Sequence, residues 1–564
     1  MLSNAKGRSH PPSFTHLRRL TDDTGLLEHA LGRTPRRQEG YTTDDNARSL
    51  WVVTEWLRDV PGSEVSDADR ALLLDLASIY LSFMLWQQKE DGWWHNNVAY
   101  DRSPEKETVS YDCQGRSIWA CVAAWVGLPD SHRDAAAAMF ECAMPTFSRI
   151  ASLRGKAYTL SACAYALESE RLGLISFKPG WREQLKSHVV RLQEELIDKF
   201  TRNSDEAWRW FEPVMSYGNG VLPWALLRAY RVTHAPEALE IGLDSLSSLQ
   251  AAMTAEQGWF RPIGNSGWRS REGSSKWDQQ PLEIFKLALA LEEGAAALEE
   301  AGKQGVTLLL AYEQGADSRL GSAAGRTQGG ERGSGGFRSA GSIRAPEVGI
   351  ALAVRSETED GLSGAGTDSQ AQVGRGSGAG AERIFGSGSG EGSGAERGLG
   401  SRSVQGSGAE RGLGGGSDER GGAGTERSFG SGSGAGPERS FGSESGAGRE
   451  RSLGGGSGEG RGAGPVRSFG SDSGAGPERS LGGELGAKHP EDAHAIEVAD
   501  YAAQLRAARN RCLDWFFGAN DLGAIMADER DGSGCDGLQE DGPNVNCGAE
   551  STISYLMTAA MCRQ

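Results

Sequence analysis

The chain is 564 residues long, contains 81 glycines and carries a formal net charge of −17. Acidity on that scale, with no basic stripe to offset it, excludes a nucleic-acid backbone as partner. No stretch of about 18 apolar residues is present to span a membrane, and residues 1–20 lack the apolar core of a secretory leader, so a cytoplasmic setting is expected.

Taken in order, residues 1–13 are expected to be disordered, and Phe14–Leu20 reads as a short helix. Thr21–Ala30 then resembles Asn520–Ile525 near the other end, as though first and last units held equivalent places. Helical periodicity follows at 45–59, 66–88, 112–126, 131–149, 156–172, 178–200, 218–232, 235–255, 278–314, 491–518 and 548–562. Alternating strand patterns are absent. Between Gly315 and His489 lie 53 of the 81 glycines. That segment repeats Glu-Arg-Ser-Phe-Gly units such as Glu426–Gly430 and Glu438–Gly442 with too little apolar surface to offset ordering. Residues 315–490 are therefore expected to be a disordered insertion, with 14–314 and 491–564 forming one domain.

The stretch Gly40–Trp51 sets the pattern for that domain. After Asn46 the apolar positions Ala47, Leu50, Trp51, Thr54 and Leu57 keep helical spacing, and Thr43, Asp44 and Asp45 supply N-cap acceptors ahead of them. A similar polar opening precedes later helices: Asp112-Cys113-Gln114-Gly115-Arg116, weakly Arg154–Tyr158, Ser216–Gly220, Trp277–Gln280 and Asn544–Ser551. Helices with polar openings alternate with longer, more charged ones. That alternation predicts an all-α fold, an (α/α)6 toroid of six helical hairpins whose inner helices all start on one face. Their unpaired N–H groups and first-turn acids then converge on one pit.

The eight cysteines form no CxxC pair and no metal-ligand spacing, so free thiols are expected and neither a metal nor a cofactor. What the pit would bind follows from its residue types. Trp94, Trp210 and Trp268 offer aromatic faces beside polar readers: Asp44, Asn46, His95, Asp112, Gln114, Arg116, Tyr158, Tyr217, Asn219, Asn265, Gln279, Gln280, Asp536, Asn546 and Glu550. A sugar, apolar on its C–H face and rimmed by hydroxyls, suits that mixture. Several of these groups must simply cap helices, and Arg48 and Arg116 are expected to pair with Asp44 and Asp112.

The strings Gly-Tyr-Thr-Thr-Asp-Asp-Asn-Ala-Arg at 40–48 and Asn-Cys-Gly-Ala-Glu-Ser-Thr at 546–552 resemble those of a bacterial family linked to glycosyltransferases and mannoside phosphorylases. The helix pattern over 14–314 and 491–562 resembles the six-hairpin glycosidase-like superfamily. The resemblance implies work on carbohydrate, with a glycosyltransferase as a further partner and inversion as the commoner mechanism. Glycoside cleavage needs one proton-donating and one ionised carboxyl group. Asp45, in the most polar opening, and Glu212, flanked by Trp210, Phe211 and Pro213, are the expected catalytic pair. The expected function is a glycoside hydrolase. A non-catalytic carbohydrate-binding accessory protein and a sugar epimerase remain as alternatives, though only His95 among nine histidines falls clearly in a pit loop.

Overall fold

A computed structural model describes residues 11–61, 65–305, 307–312, 348–353, 493–495 and 498–563. Helices α1 (Thr15–Leu20), α2 (Thr43–Leu57), α3 (Asp67–Gln87), α4 (Tyr111–Gly127), α5 (Asp130–Ala143), α6 (Leu153–Arg171), α7 (Trp181–Asn203), α8 (Val221–Thr233), α9 (Pro236–Ala252), α10 (Pro281–Lys303), α11 (Val498–Trp515) and α12 (Ala549–Cys562) follow in chain order. The even-numbered helices pack each on the next, and α12 closes back onto α2. Helices α3, α5, α7, α9 and α11 cover α2, α4, α6, α8 and α10 from outside, and the short α1 covers α12. This is the expected (α/α)6 ring.

Sequence decides which helix lies where. α7 buries Leu185, Val189, Leu192, Leu196 and Phe200, one stripe at helical spacing, and leaves its charged face to solvent. α2 instead buries Ala47–Thr54 without a break, as a helix surrounded by others must. Inside the ring Trp51 meets Trp119 edge-on with centroids 5.2 Å apart, Trp119 meets Trp224 at 4.7 Å, and Phe285 lies 5.5 Å from Trp51. Glycine lets the helix starts crowd together. A Cβ on Gly115 would stand 2.6 Å from the Gly155 carbonyl, and one on Gly220 would stand 2.1 Å from that of Lys286.

Two element boundaries depart from expectation. The helix expected over 278–314 ends at Lys303, and Thr307–Tyr312 is a strand, paired antiparallel with Val348–Ala353 and with Ala493–Ala495. The helix expected from 491 begins at Val498. Leu308–Leu310 is a continuous apolar run, which periodicity cannot assign, and Gly302 and Gly305 are the stop signal ahead of it. Apart from Val348–Ala353, the expected disordered stretch 315–490 lies outside the described residues, as do residues 1–10. The cap of α2 also differs. The Thr42 hydroxyl accepts from the Asp45 N–H at 3.1 Å, which releases Asp44 and Asp45 for other partners.

Candidate active site

At the N-terminal face of the ring, the inner-helix starts and one loop build a continuous chain of charges. From α2, Arg48 reaches Asp45 Oδ1 at 2.7 Å, Asp44 Oδ2 at 2.9 Å and, across on α12, Glu550 Oε2 at 2.7 Å. Arg116 of α4 donates to the same Asp44 oxygen at 2.5 Å. Its other nitrogen stands 3.9 Å from Asp112 Oδ2, which accepts from the Tyr217 hydroxyl at 2.6 Å. Arg154 of α6 lies over the Tyr217 ring at 4.5 Å and pairs with Glu212 Oε2 at 3.0 Å. The Trp208 indole fixes the Glu212 backbone by donating to its carbonyl at 2.8 Å. Behind the guanidinium groups, Lys286 of α10 is 1% exposed, its ammonium 5.3 Å from the Trp51 ring and 5.2 Å from the Tyr158 ring. Neither Lys286 Nζ nor Asp44 Oδ1 has a hydrogen-bond partner among the described residues.

Burial and neighbours separate the proton affinities of these groups. Burial raises the Asp44 carboxyl, but the guanidinium groups of Arg116 and Arg48 outweigh it and hold the group at about 2. Burial pushes Asp45 up, and the Asp44 and Glu550 charges add to that against Arg48. Burial also drives Glu28 up, helped by Asp45, Glu39 and Asp44, to about 8. Lys286 is driven well below the ordinary range of an amine, first by burial and then by Arg116 and Arg48. The Glu28 side chain meets His29 Nε2 at 3.4 Å, and its environment favours the protonated carboxyl while that of Asp44 favours the ionised one, the kind of separation that acid and base catalysts require.

Glu28 was not among the expected site residues. It sits in an irregular segment with no helical spacing to mark it, held beside the starts of α12 and α2 because its carbonyl accepts from the Ala549 N–H at 2.9 Å while its own N–H donates to the Gly40 carbonyl at 3.1 Å. Lys286 left a visible trace, a charged residue inside the apolar run Ile284-Phe285-Lys286-Leu287-Ala288.

Of the expected residues, the network unites Asp44, Asp45, Asp112, Arg116, Glu212, Tyr217 and Glu550, with Tyr158 against it beneath Arg116. Glu212 meets a guanidinium rather than the apolar setting its sequence neighbours implied. Asp45 is buried, with one oxygen on Arg48 and the other accepting from the Thr42 hydroxyl at 2.8 Å. The remaining residues hold loops in place. Asn46 ties Leu26 to Thr42, and the Gln114 carbonyl accepts from the Trp94 N–H at 3.0 Å while the Trp94 indole donates to Met84. His95 stands between Glu107 and the Asn97 carbonyl, and Trp210 is buried against Phe211. Asn219 donates to Glu283 at 2.9 Å, Gln279 to Asp521 at 2.7 Å and Asn265 to Asp278 at 2.9 Å. Asp536 accepts from Gly548 at the start of α12, and Asn546 from Gly32. Trp268 adopts a left-handed backbone in its turn, and Gln280 precedes α10 without capping it through its side chain.

No family model and no curated protein matches the sequence. A sugar epimerase from a ruminal bacterium is 14% identical with a TM-score of 0.39, the alignment covering 51% of this chain and 78% of that one. A cellobiose 2-epimerase from Bacillus thermoamylovorans is 12% identical with a TM-score of 0.39, over 55% and 86%. A GH76 α-mannanase from Bacteroides thetaiotaomicron is 12% identical with a TM-score of 0.34, over 51% and 78%.

Among the described residues no group of three or more His, Cys, Asp or Glu is placed to hold a metal ion. No helix among them is long and apolar enough to cross a membrane.

Proposed function

We propose that this protein is a carbohydrate-active enzyme that takes a saccharide into the pit and cleaves a glycosidic bond by carboxylate acid/base catalysis. The observation that carries the reading is the chain of carboxylates and guanidinium groups at the helix starts, Glu550–Arg48–Asp44–Arg116 with Arg154 on Glu212, and burial among the Asp45, Glu39 and Asp44 charges, which raises Glu28, supports it. Glu28 is the proton donor to the leaving oxygen. Glu212, whose side chain is 29% exposed, is the carboxylate that activates water, poised by Arg154 and the Trp208 tether. Asp45, with both oxygens engaged, is a positioning residue that aims Arg48. Arg48, Arg116 and Asp112 meet sugar hydroxyls, and the unpaired Asp44 oxygen and Lys286 amine suit a polar guest. The cytoplasmic setting and the glycosyltransferase partner belong to the same proposal and rest on sequence.

The test is a panel of oligosaccharides incubated with and without inorganic phosphate. Cleavage independent of phosphate, lost in Glu212→Gln with substrate binding retained, is the expected result. Binding across the panel with no turnover would assign an accessory role instead, and a changed sugar without bond cleavage would assign epimerisation.

A further inference from the structure

Arg33, Phe517, Ser533, Cys535 and Cys547 are among the residues that line an open groove of about 670 Å3. We propose that Cys535 and Cys547 are a redox-active dithiol, oxidised by a hydroperoxide to an intramolecular disulfide that locks the start of α12.

Backbone and side chains both bring the two sulfurs together. The Asp536 N–H donates to the Asn546 carbonyl at 2.8 Å and to that of Asn544 at 3.1 Å, so residues 535 and 547 flank a backbone pair on facing segments. Both thiols are free and line the same groove, and the Cys547 sulfur lies 3.5 Å from the Val545 carbonyl. The Cys535 thiol and the Ser533 hydroxyl donate toward Cys547, and with the Arg33 charge nearby they favour its thiolate, while Cys535 keeps its proton. Cys512 and Cys562 are also neighbours, but burial pushes both thiols up and neither lines the groove.

The Cys547 thiolate attacks one peroxide oxygen, giving a sulfenic acid and releasing water or alcohol after protonation. The Cys535 sulfur then attacks the sulfenic sulfur, the S–S bond forms and a second water leaves. The two thiols lose two electrons, and the peroxide gains them. The bond would join the segment carrying Asp536, which accepts from the Gly548 N–H at 2.8 Å and the Ser551 hydroxyl at 2.6 Å, to the residue just ahead of α12. Glu550, the Arg48 partner, is three residues beyond Cys547.

The experiment treats the full chain with hydrogen peroxide near equimolar amounts, followed by alkylation and peptide mapping. A crosslinked 535–547 peptide lacking two hydrogens, reversed by dithiothreitol, together with a higher melting temperature, is the expected result. Cys535→Ser should leave a sulfenic acid on Cys547 that dimedone captures, and Cys547→Ser should leave Cys535 unreacted. Sulfinic acid at Cys547 in the wild type without a crosslink would overturn the proposal. So would peroxide reacting at Cys142 while the pair stays reduced.

Discussion

Glu28 and Lys286 show how far a residue's chemistry depends on what surrounds it. A carboxyl raised from 4.5 to about 8 binds a proton in the folded chain that the unfolded chain has lost. Between those values the folded state holds more protons, so the contribution of Glu28 to stability is present below about pH 4.5 and disappears as pH rises through about 8. Chemical-denaturation curves of wild type should therefore show a decline over that window that Glu28→Gln lacks. As proton donor, Glu28 also predicts that kcat/KM falls on the alkaline side with a midpoint near pH 8. Lys286 has the opposite sense. Its amine is lowered, so the unfolded chain binds the extra proton and stability rises with pH up to the ordinary lysine range. Arg48→Ala leaves Asp45 buried without its cation and takes one of two guanidinium groups from Asp44. A loss of about 3–5 kcal/mol in urea unfolding is expected. Sequence spacing found the two aspartates, both arginines and Glu550, since all lie in first or second turns of helices that periodicity marks. It missed Glu28, which a loop delivers through backbone bonds to residues far away in the chain.

At the scale of elements, the site exists because helix starts converge, and they converge because small residues stand where they touch. Gly115→Ala would drive a methyl to within 2.6 Å of the Gly155 carbonyl, forcing α4 and α6 apart where Asp112, Arg116 and Arg154 begin. Overpacking of this kind costs about 1–3 kcal/mol, and the melting temperature of the variant checks it. The inner helices were legible from their polar openings, and the outer ones from amphipathic stripes such as that of α7. The strand Thr307–Tyr312 was not. Its six residues carry no alternation, and its partners Val348–Ala353 and Ala493–Ala495 are distant in sequence. Most tryptophans of the loops proved to be plugs. Trp94 and Trp210 are buried side chains that anchor turns, a role composition cannot separate from sugar stacking.

For the whole molecule, closure of α12 onto α2 joins Glu550 to Arg48 across about 500 residues of chain, with the glycine-rich stretch between them. Deleting 354–492 and bridging the gap with a flexible linker should leave cooperative unfolding intact, because every element of the ring and the three strands lies outside the cut. In the function proposed above, the pit performs acid/base chemistry on a saccharide. Its most direct test is the ratio of kcat/KM for Glu28→Gln to that of wild type on the best oligosaccharide of the panel, with the solvent-facing Asp59→Asn as control. A fall of about 100-fold or more for Glu28→Gln, with the control unchanged, is predicted. Turnover preserved in Glu28→Gln would rule out Glu28 as the proton donor.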